Sequence, residues 1–376
     1  MSGRVVICRS NPIAPDPRVE KEARSLSGAG YSVTVLAWDR SGQLPKHQIC
    51  DGATIIRMAL KADYARGLLN ILPLLRWQLG LLSWLLKHRR GYDLIHACDF
   101  DTILPALLVK MLFGKKVIYD IFDFYADHLR ATPHIIKIFI RSIDLWAIGV
   151  ANAIILVDES RLNQIESSKP KRIAFIYNSP EEDQMPCSKK EKSNSELRIG
   201  YVGLLQVERG LLKVLEIMQK HPAWFLDIAG FGGDEAKIVN ASAELSNVKF
   251  HGRVTYQKAL EISNNVDVLF ALYDPRIPNH RYSSPNKVFE AMMLGKPIIV
   301  ASGTNMDQIV SVVESGLVVE YDNLHSIELA FEHLSQNPEL LEELGGNARE
   351  AYDEKYSWKI MQQRLLDLYH SLLPIN

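Results

Sequence analysis

The sequence predicts an α/β protein with two domains, each built on a parallel sheet. The chain has 376 residues, 47% of them hydrophobic, and this length exceeds the usual size of one α/β domain. Short runs rich in β-branched residues alternate with helix-length segments throughout, which is typical of βαβ units. A polar, charged segment separates two such series. We therefore predict domains at 1–182 and 197–355, a linker at 183–196 and a last helical segment at 356–376.

The apolar runs give the expected strands. In the first domain they cover 4–8, 32–38, 54–58, 93–97, 116–119, 153–157 and 173–177. In the second they cover 198–202, 224–229, 248–250, 267–272, 297–301 and 316–320. Doubly wound sheets bind ligands beyond the carboxyl ends of their strands, so functional residues should follow strands and meet in a cleft.

Charge is distributed unevenly along the chain although the formal net charge is only −1. Residues 1–180 carry 24 Lys and Arg against 16 Asp and Glu, or +8, and the remainder carries 19 against 28, or −9. A basic half suits nucleic acid, an anionic membrane or an acidic substrate, and composition does not choose among them.

The cysteines and apolar segments indicate a cytoplasmic protein. Cys8, Cys50, Cys98 and Cys187 are far apart and lack C-x-x-C spacing, which suits free thiols in a reducing compartment. The chain has no uncharged run of about 20 residues that would span a bilayer. We expect neither a signal peptide nor a transmembrane helix.

The strongest motif, at 283–297, predicts a short helix with defined ends. Ser284 suits the N-cap, Pro285 suits the first helical position, and Gly295 suits the position just past the end. The N–H groups at the start of such a helix are free to bind an anion.

The first turn of this helix suits a phosphorylated ligand. Lys287 adds a positive charge, and Glu290 lies one turn on from Asn286 and Lys287. A diphosphate and a ribose could both bind there. An ordinary capped helix with a solvated Glu is the alternative.

The run E-A-M-M-L-G-K-P that begins at Glu290 resembles the donor-binding region of family 4 glycosyltransferases, which have the GT-B fold. The resemblance covers nearly the whole chain. In that family the Glu binds the ribose hydroxyls, and a second Glu, here replaced by Tyr282, lies near the sugar. A branch of the family has S-P-N-K before F-E, as here. The resemblance implies that Glu290 shares the donor site with Tyr282, Ser284, Asn286 and Lys287.

The resemblance also implies a fold and a reaction. Two facing Rossmann-like domains would bind an acceptor and a nucleotide-sugar donor, and the last helix would pack back on the first domain. The sugar would move to an acceptor hydroxyl with retained configuration. Because helix ends and cations would stabilise the leaving diphosphate, we expect no cofactor and no bound metal. The expected partners are a nucleotide sugar and a glycan or lipid-linked acceptor, and no nucleic acid.

Three turns in the second domain are further candidates for the donor site. Gly203 follows a strand and would let backbone N–H groups approach phosphate. The family commonly has two cations after this turn; Arg209 is one, and Leu204 replaces the other, so Lys287 or Arg18 would supply the missing charge. Two other turns, which contain Gly230 and Arg253, resemble family loops, although each is a weak signal alone.

Four polar side chains near strand ends are candidates in the first domain. Arg18 is expected in the cleft, touching a diphosphate or an acidic acceptor, with a solvated position as the alternative. His96 faces either core or cleft. Phe122 stands where many family members carry a His near the reacting centre, so Asp120 and Asp123 are the catalytic candidates.

The motif Asp99-Phe100-Asp101 has a spacing that binds a divalent metal in a different glycosyltransferase fold. Chance gives this spacing about once in a chain this long, so we assign it no metal. Asp101 is expected to cap a helix that begins at Thr102.

The segment 61–90 is apolar and flanked by cations, including Arg89 and Arg90. With Trp77 and Trp84 it suits a helix lying in a membrane interface, and a helix pair packed on the sheet is the alternative. Residues 134–141 could extend the same face. The expected location is therefore cytoplasmic, peripheral on the inner face of the membrane.

Two other functions remain open. A nucleotide-sugar 2-epimerase shares the two-domain fold and binds a similar ligand. A non-catalytic sugar-nucleotide-binding partner would suit the departures at Leu204, Phe122 and Tyr282.

Overall fold

The computed structural model describes residues 3–62, 71–128, 132–184 and 197–374. The chain divides into two compact units. Unit 1 comprises Met1–Tyr177 and Met361–Asn376, and unit 2 comprises Asn178–Ile360. Nearly all of the predicted linker lies outside the described residues.

Unit 1 contains an eight-stranded sheet. Its strands are β1 (Arg4–Arg9), β2 (Ser32–Asp39), β3 (His47–Cys50), β4 (Ala53–Ala59), β5 (Leu94–Cys98), β6 (Lys116–Ile121), β7 (Ala153–Leu156) and β8 (Ile173–Phe175). They lie in the order β3-β4-β2-β1-β5-β6-β7-β8. The sheet is parallel except at its edge, where β3 pairs antiparallel with β4. The sequence did not predict β3 because it is largely exposed and lacks an apolar run.

The α-helices that precede β8 in the described part of unit 1 are α1 (Pro17–Gly28), α2 (Ile71–Lys87), α3 (Phe100–Phe113), α4 (Tyr125–His128) and α5 (His134–Val150). The start of α1 is fixed by Asp16, whose carboxylate accepts a hydrogen bond from the Val19 N–H, and by Pro17 in the first turn. Buried side chains of α2, α3 and α5 pack into one hydrophobic core with the sheet.

The helix α2 belongs to that core along one side. Trp77 is fully buried and stacks on Trp38, with ring centroids 5.5 Å apart, and Trp84 is only half-buried. The predicted membrane-facing role of Trp77 is therefore wrong, because its ring fills the space between α2 and the sheet. Residues 63–70 of the predicted apolar segment lie outside the described residues. Among the helices described, none is both long and apolar enough to cross a bilayer.

Unit 2 contains a six-stranded parallel sheet. Its strands are β9 (Arg198–Leu204), β10 (Phe225–Phe231), β11 (Val248–Phe250), β12 (Val268–Ala271), β13 (Ile298–Ala301) and β14 (Gly316–Val319), in the order β11-β10-β9-β12-β13-β14. Its helices are α6 (Leu211–Lys220), α7 (Glu235–Ser242), α8 (Tyr256–Asn264), α9 (Pro278–Arg281), α10 (Asn286–Met293), α11 (Asn305–Val312), α12 (Leu324–Gln336) and α13 (Pro338–Ala351).

The last helix, α14 (Trp358–Leu372), belongs to unit 1 from Met361 onward. The Tyr369 hydroxyl lies 2.7 Å from Nδ1 of His96, and the Tyr31 hydroxyl donates to the Leu373 carbonyl at 3.2 Å. The chain therefore leaves unit 1 after β8 and returns to it at the end.

Candidate functional site

The carboxyl edge of the second sheet has two glycine turns in close contact. Gly203 and Gly230 pair across β9 and β10, and both have φ near +150°. A Cβ on Gly230 would lie 1.8 Å from the Gly203 carbonyl oxygen, so only glycine fits. After Gly203 the chain forms a short 3₁₀ turn that ends at Arg209, and α6 follows.

The helix α10 starts beside this edge, one residue later than predicted. Pro285 takes the N-cap position with extended backbone, its side chain makes no capping hydrogen bond, and Asn286 is the first helical residue. Ser284 is buried, and its carbonyl accepts a hydrogen bond from the Asn178 amide at 3.0 Å. The prediction that Ser284 is the N-cap residue is therefore wrong, because Pro285 takes that position.

Lys287, in the first turn of α10, points to the Gly203 turn. Its Nζ lies 3.2 Å from the position a Cβ on Gly203 would occupy and 3.7 Å from the centre of the Tyr201 ring. This atom is buried and has no hydrogen-bond partner. Burial, then the charge of Arg209, lowers the pKa of Lys287 well below its usual value, and Glu290 opposes the shift. A buried lysine amine thus lies beside the turn at which Leu204 replaces the usual cation.

Arg209 and Glu290 lie around the same buried lysine. The Arg209 guanidinium stacks on Tyr273 at 4.2 Å and donates to the Gln206 side chain. Glu290, one turn after Lys287, accepts a hydrogen bond from Tyr256; burial, then this carboxylate, raises the pKa of Tyr256. The site therefore combines two cations and a partly buried carboxylate at one helix start.

The remaining candidates in unit 2 lie more openly. Arg253 is exposed, with its guanidinium 4.6 Å from the ring of the half-exposed Phe231. Tyr282 immediately follows α9 and is partly exposed. These positions leave both side chains accessible to a ligand, and their donor roles stay predictions.

In unit 1, Arg18 and Asp120 form a buried ion-pair network. Arg18 Nη2 lies 3.0 Å from Asp120 Oδ1, and Arg18 Nε lies 3.2 Å from Glu22 Oε1. Burial alone would raise the pKa of Asp120, but Arg18 and His96 hold it below its usual value. Burial and Asp120 raise the pKa of Glu22 to about 7. His96 is fully buried and contacts Tyr369, so it faces the core.

This burial changes how two predicted residues are interpreted. Arg18 is 7% exposed and Asp120 is fully enclosed, so the predicted direct contacts with a ligand do not agree with the structure. The sequence shows that Arg18 follows a strand. It does not show that Asp120, about a hundred residues further along the chain, neutralises it. Both residues are placed to fix the sheet edge.

Side chains that reach the surface at this edge include Asp123, Phe122 and Arg9. Asp123 has 42% of its side chain exposed and pairs with Arg161 at 2.7 Å. Arg9, which the sequence analysis did not single out, lies 4.0 Å from the Phe122 ring centre and pairs with Asp16 and Asp99. Its place at the carboxyl end of β1 was the available signal.

The predicted cap at Asp101 is also wrong. The helix α3 begins at Phe100, and Asp101 is buried in its first turn. Asp99 precedes the helix and accepts a hydrogen bond from the Phe122 N–H at 2.9 Å. Asp99 and Asp101 thus have separate structural partners, and no described metal-ligand cluster contains both.

Two described clusters carry metal-ligating side chains. His96, Cys98 and Asp120 are buried together, with Asp120 already neutralised by Arg18. The other consists of His221, Glu328 and Glu332, where Lys220 contacts Glu328 at 3.3 Å. In each of these two clusters a cation already pairs with a carboxylate.

Solved structures establish the fold class. Sucrose-phosphate synthase from Thermosynechococcus elongatus matches with a TM-score of 0.81 at 15% identity, over 98% of this chain and 99% of that one. Anabaena HepE, in complex with UDP and glucose, matches with a TM-score of 0.74 at 12% identity, over 98% and 99%. With its two Rossmann-like domains, this is a GT-B protein.

Family models give the narrower assignment. The model of glycosyl transferases group 1 matches residues 187–351, and that of glycosyltransferase family 4 matches residues 18–182. The chain belongs to the family 4 glycosyltransferases.

Two curated relatives match parts of the chain. The capsular polysaccharide biosynthesis glycosyltransferase CapM of Staphylococcus aureus is 25% identical over 192 residues, which is 48% of this chain and 47% of CapM. A GDP-mannose-dependent monoacylated alpha-(1-6)-phosphatidylinositol monomannoside mannosyltransferase of Corynebacterium glutamicum is 23% identical over 201 residues, which is 50% of this chain and 52% of that protein. The chain spans about half the length of these relatives.

Proposed function

We propose that this protein transfers a hexose from a nucleoside diphosphate sugar to a hydroxyl of a lipid-linked or cell-surface glycan precursor, with retained configuration. The donor binds in unit 2, and unit 1 provides the acceptor side. The relatives named for capsular polysaccharide synthesis and for a phosphatidylinositol mannoside support this class of acceptor.

The observation that carries the proposal is the buried Lys287 amine beside the Gly203 turn. An unpaired buried cation is costly unless an anion arrives to pair with it. A diphosphate at the turn would contact Lys287, Arg209 and the first N–H groups of α10. Glu290, one helical turn away, would accept hydrogen bonds from ribose hydroxyls.

The same groups provide the chemistry of the leaving group. As the glycosidic bond breaks, negative charge grows on the diphosphate, and fixed cations stabilise that charge more than they stabilise the ground state. We propose that this mechanism needs no metal. Asp123, which reaches the surface, is the proposed contact for an acceptor or sugar hydroxyl.

A transfer assay tests the proposal. The protein is incubated with UDP- and GDP-hexoses and polyprenyl-phosphate-linked or phosphatidylinositol-linked sugars, and glycolipid products are followed by mass spectrometry. Lys287→Ala and Arg209→Ala should each lower kcat/KM at least tenfold, whereas Lys237→Ala, an exposed lysine elsewhere in unit 2, should not. Conversion of the donor alone to an epimer would favour the 2-epimerase. Donor binding without transfer to any acceptor would favour a non-catalytic partner.

A peripheral membrane location is the second part of the proposal. Helices α2, α3 and α5 expose large apolar side chains on their outer surfaces, which we call the outer helical face. Its members on α5 include Ile135 at 80% and Phe139 at 64% exposure. The other members are Ile71, Leu72, Leu75, Leu79, Leu108, Met111, Leu112, Phe113, Ile136, Ile138 and Trp146.

The charges around the outer helical face favour an anionic bilayer as its partner. In α2, α3 and α5 the only acidic residues are Asp101 and Asp144, and both are buried. Lys87, Arg89 and Arg90 line a depression of about 330 Å³ at the end of α2. Arg89 also contacts the exposed Phe113 ring at 5.3 Å, so cations and apolar side chains are adjacent.

Vesicle flotation tests this part separately. The protein should float with phosphatidylglycerol-containing vesicles and less with neutral phosphatidylcholine vesicles, and salt should weaken binding. Arg89→Glu with Arg90→Glu should release it, as should Ile135→Ser with Phe139→Ser. Val312→Ser, 75% exposed in unit 2, is the control. A protein that stays free of every vesicle at low salt would favour a water-soluble acceptor.

A further inference from the structure

Two tyrosine rings hold the two cations of the proposed donor site. Lys287 Nζ lies 3.7 Å from the Tyr201 ring centre and 5.7 Å from that of Tyr273. The Arg209 guanidinium lies 4.2 Å from the Tyr273 ring centre. We call Tyr201 and Tyr273 the tyrosine pair. Neither was identified from sequence, because an aromatic side chain at a strand end has the appearance of core.

The tyrosine pair gives Lys287 only a partial substitute for an anion. A ring face attracts an ammonium group. This attraction replaces only part of the stabilisation that the group would receive from water or from a carboxylate. The Tyr201 hydroxyl donates to the Leu204 carbonyl at 2.6 Å and does not accept a hydrogen bond from Lys287. Lys287 Nζ has no hydrogen-bond partner.

Two charged groups and two titratable tyrosines surround Lys287. Arg209, on the turn after β9, repels its positive charge, while Glu290, on α10 itself, attracts it. Tyr201 and Tyr273, on β9 and after β12, are held neutral because burial raises the pKa of each. Burial is the largest influence and favours the uncharged amine. Without ligand, the site therefore disfavours a second positive charge beside Arg209.

We propose that Lys287 recognises the donor by taking up a proton, so that binding of the diphosphate and protonation of the amine are one coupled event. The inference rests on the proposed donor site. The amine lone pair forms one new N–H bond, the proton comes from the solvent buffer, and the diphosphate supplies the counter-charge. Arg209, a guanidinium that stays protonated, binds without this exchange.

The sign of the linkage follows from the two states of Lys287. Its pKa is low in the free protein and returns toward the usual value when an anion is bound. Between those two values, binding takes up protons, and affinity falls by up to tenfold for each unit of rising pH. A nucleoside without phosphates brings no counter-charge and should bind without proton uptake.

Calorimetry in buffers of different ionisation enthalpy measures the proton count. The probes are UDP-glucose and GDP-mannose, whose diphosphate is fully ionised and does not titrate near neutral pH, with uridine and guanosine as controls. Titrations in HEPES and Tris buffers from pH 7 to pH 8.5 should show uptake of up to one proton for the wild type.

Two substitutions separate the linkage from binding itself. Lys287→Arg keeps a permanent positive charge and should bind without uptake. Lys287→Met, uncharged and of similar length, should bind more weakly and also without uptake, while Lys237→Met should match the wild type. Equal proton counts in wild type and Lys287→Met, or a wild type that binds with none across the range, would overturn the inference and leave the donor site intact. Failure of the wild type to bind either nucleotide sugar would overturn both.

Discussion

Replacing Glu290 by Gln should weaken binding of a ribonucleotide but not of its 2′,3′-dideoxy analogue. In the proposed donor site the Glu290 carboxylate accepts hydrogen bonds from the ribose hydroxyls, and the dideoxy analogue has none to offer. Gln keeps one acceptor oxygen for Tyr256, so the side chain should stay in place. The two ligands therefore separate a contact from a structural effect.

The size of the effect follows from the kind of hydrogen bond. A hydrogen bond to a charged group contributes about 1.5–3 kcal/mol, which is roughly a 10- to 150-fold change in dissociation constant. Calorimetry with UDP and GDP, and with their dideoxy analogues, measures the four affinities needed for each nucleotide. Glu244→Gln, at an exposed position in the same unit, is the matched control.

The result that refutes this reasoning is specific. Equal losses for the ribose and dideoxy ligands would mean that Glu290 supports the fold of the site and does not contact the sugar. Unchanged affinity for all four ligands would remove Glu290 from the donor site altogether.

Three further predictions test the core, a buried carboxyl and the metal-free mechanism. Trp77→Ala should lower the free energy of unfolding by about 3–5 kcal/mol in urea titrations, whereas Leu79→Ala, 65% exposed on the same helix, should change it by about 0.5 kcal/mol or less; equal effects would contradict the core assignment. Burial raises the pKa of Asp144 to about 7, although the hydrogen bond from Tyr119 opposes the shift. The folded protein therefore favours the protonated carboxyl, and this stabilisation is present at acid pH and lost as the pH rises through 7. The free energy of unfolding of Asp144→Asn should therefore rise by roughly 3 kcal/mol relative to that of the wild type between pH 5 and pH 8. A difference in unfolding free energy that stays constant over this range would exclude the titration. Sugar transfer should persist in excess EDTA; loss that Mn²⁺ or Mg²⁺ restores would overturn the metal-free mechanism.

The strands were predictable because parallel sheets buried on both faces leave a continuous apolar run in the sequence. The edge strand β3 has no such run, and its pairing depends on the neighbouring β4. The end of α10 was predictable from Gly295, which has φ of +61° just past the helix, but its N-cap is Pro285 and not Ser284. Local sequence patterns therefore predicted the positions of helices and strands better than they predicted the roles of single side chains.

The candidate site was predictable only in part, for a related reason. Lys287 and Glu290 lie on one helix turn, so their proximity follows from sequence spacing. The residues that surround Arg18 and Lys287 come from distant strands. No local pattern therefore predicts that Arg18 has an ion-pair partner or that the Lys287 amine has no hydrogen-bond partner. The fate of a buried charge depends on tertiary contacts, which is why Arg18 was misplaced.

The return of α14 to unit 1 sets an order of events during synthesis. A ribosome delivers residues up to Tyr177 first, yet the partner of His96 and the helix that contacts Tyr31 emerge only after unit 2. Unit 2 is complete in the nascent chain while unit 1 still lacks its final helix. Translation stopped shortly before Met361 would release a chain with one finished unit and one with an uncovered core, a target for chaperones and proteases.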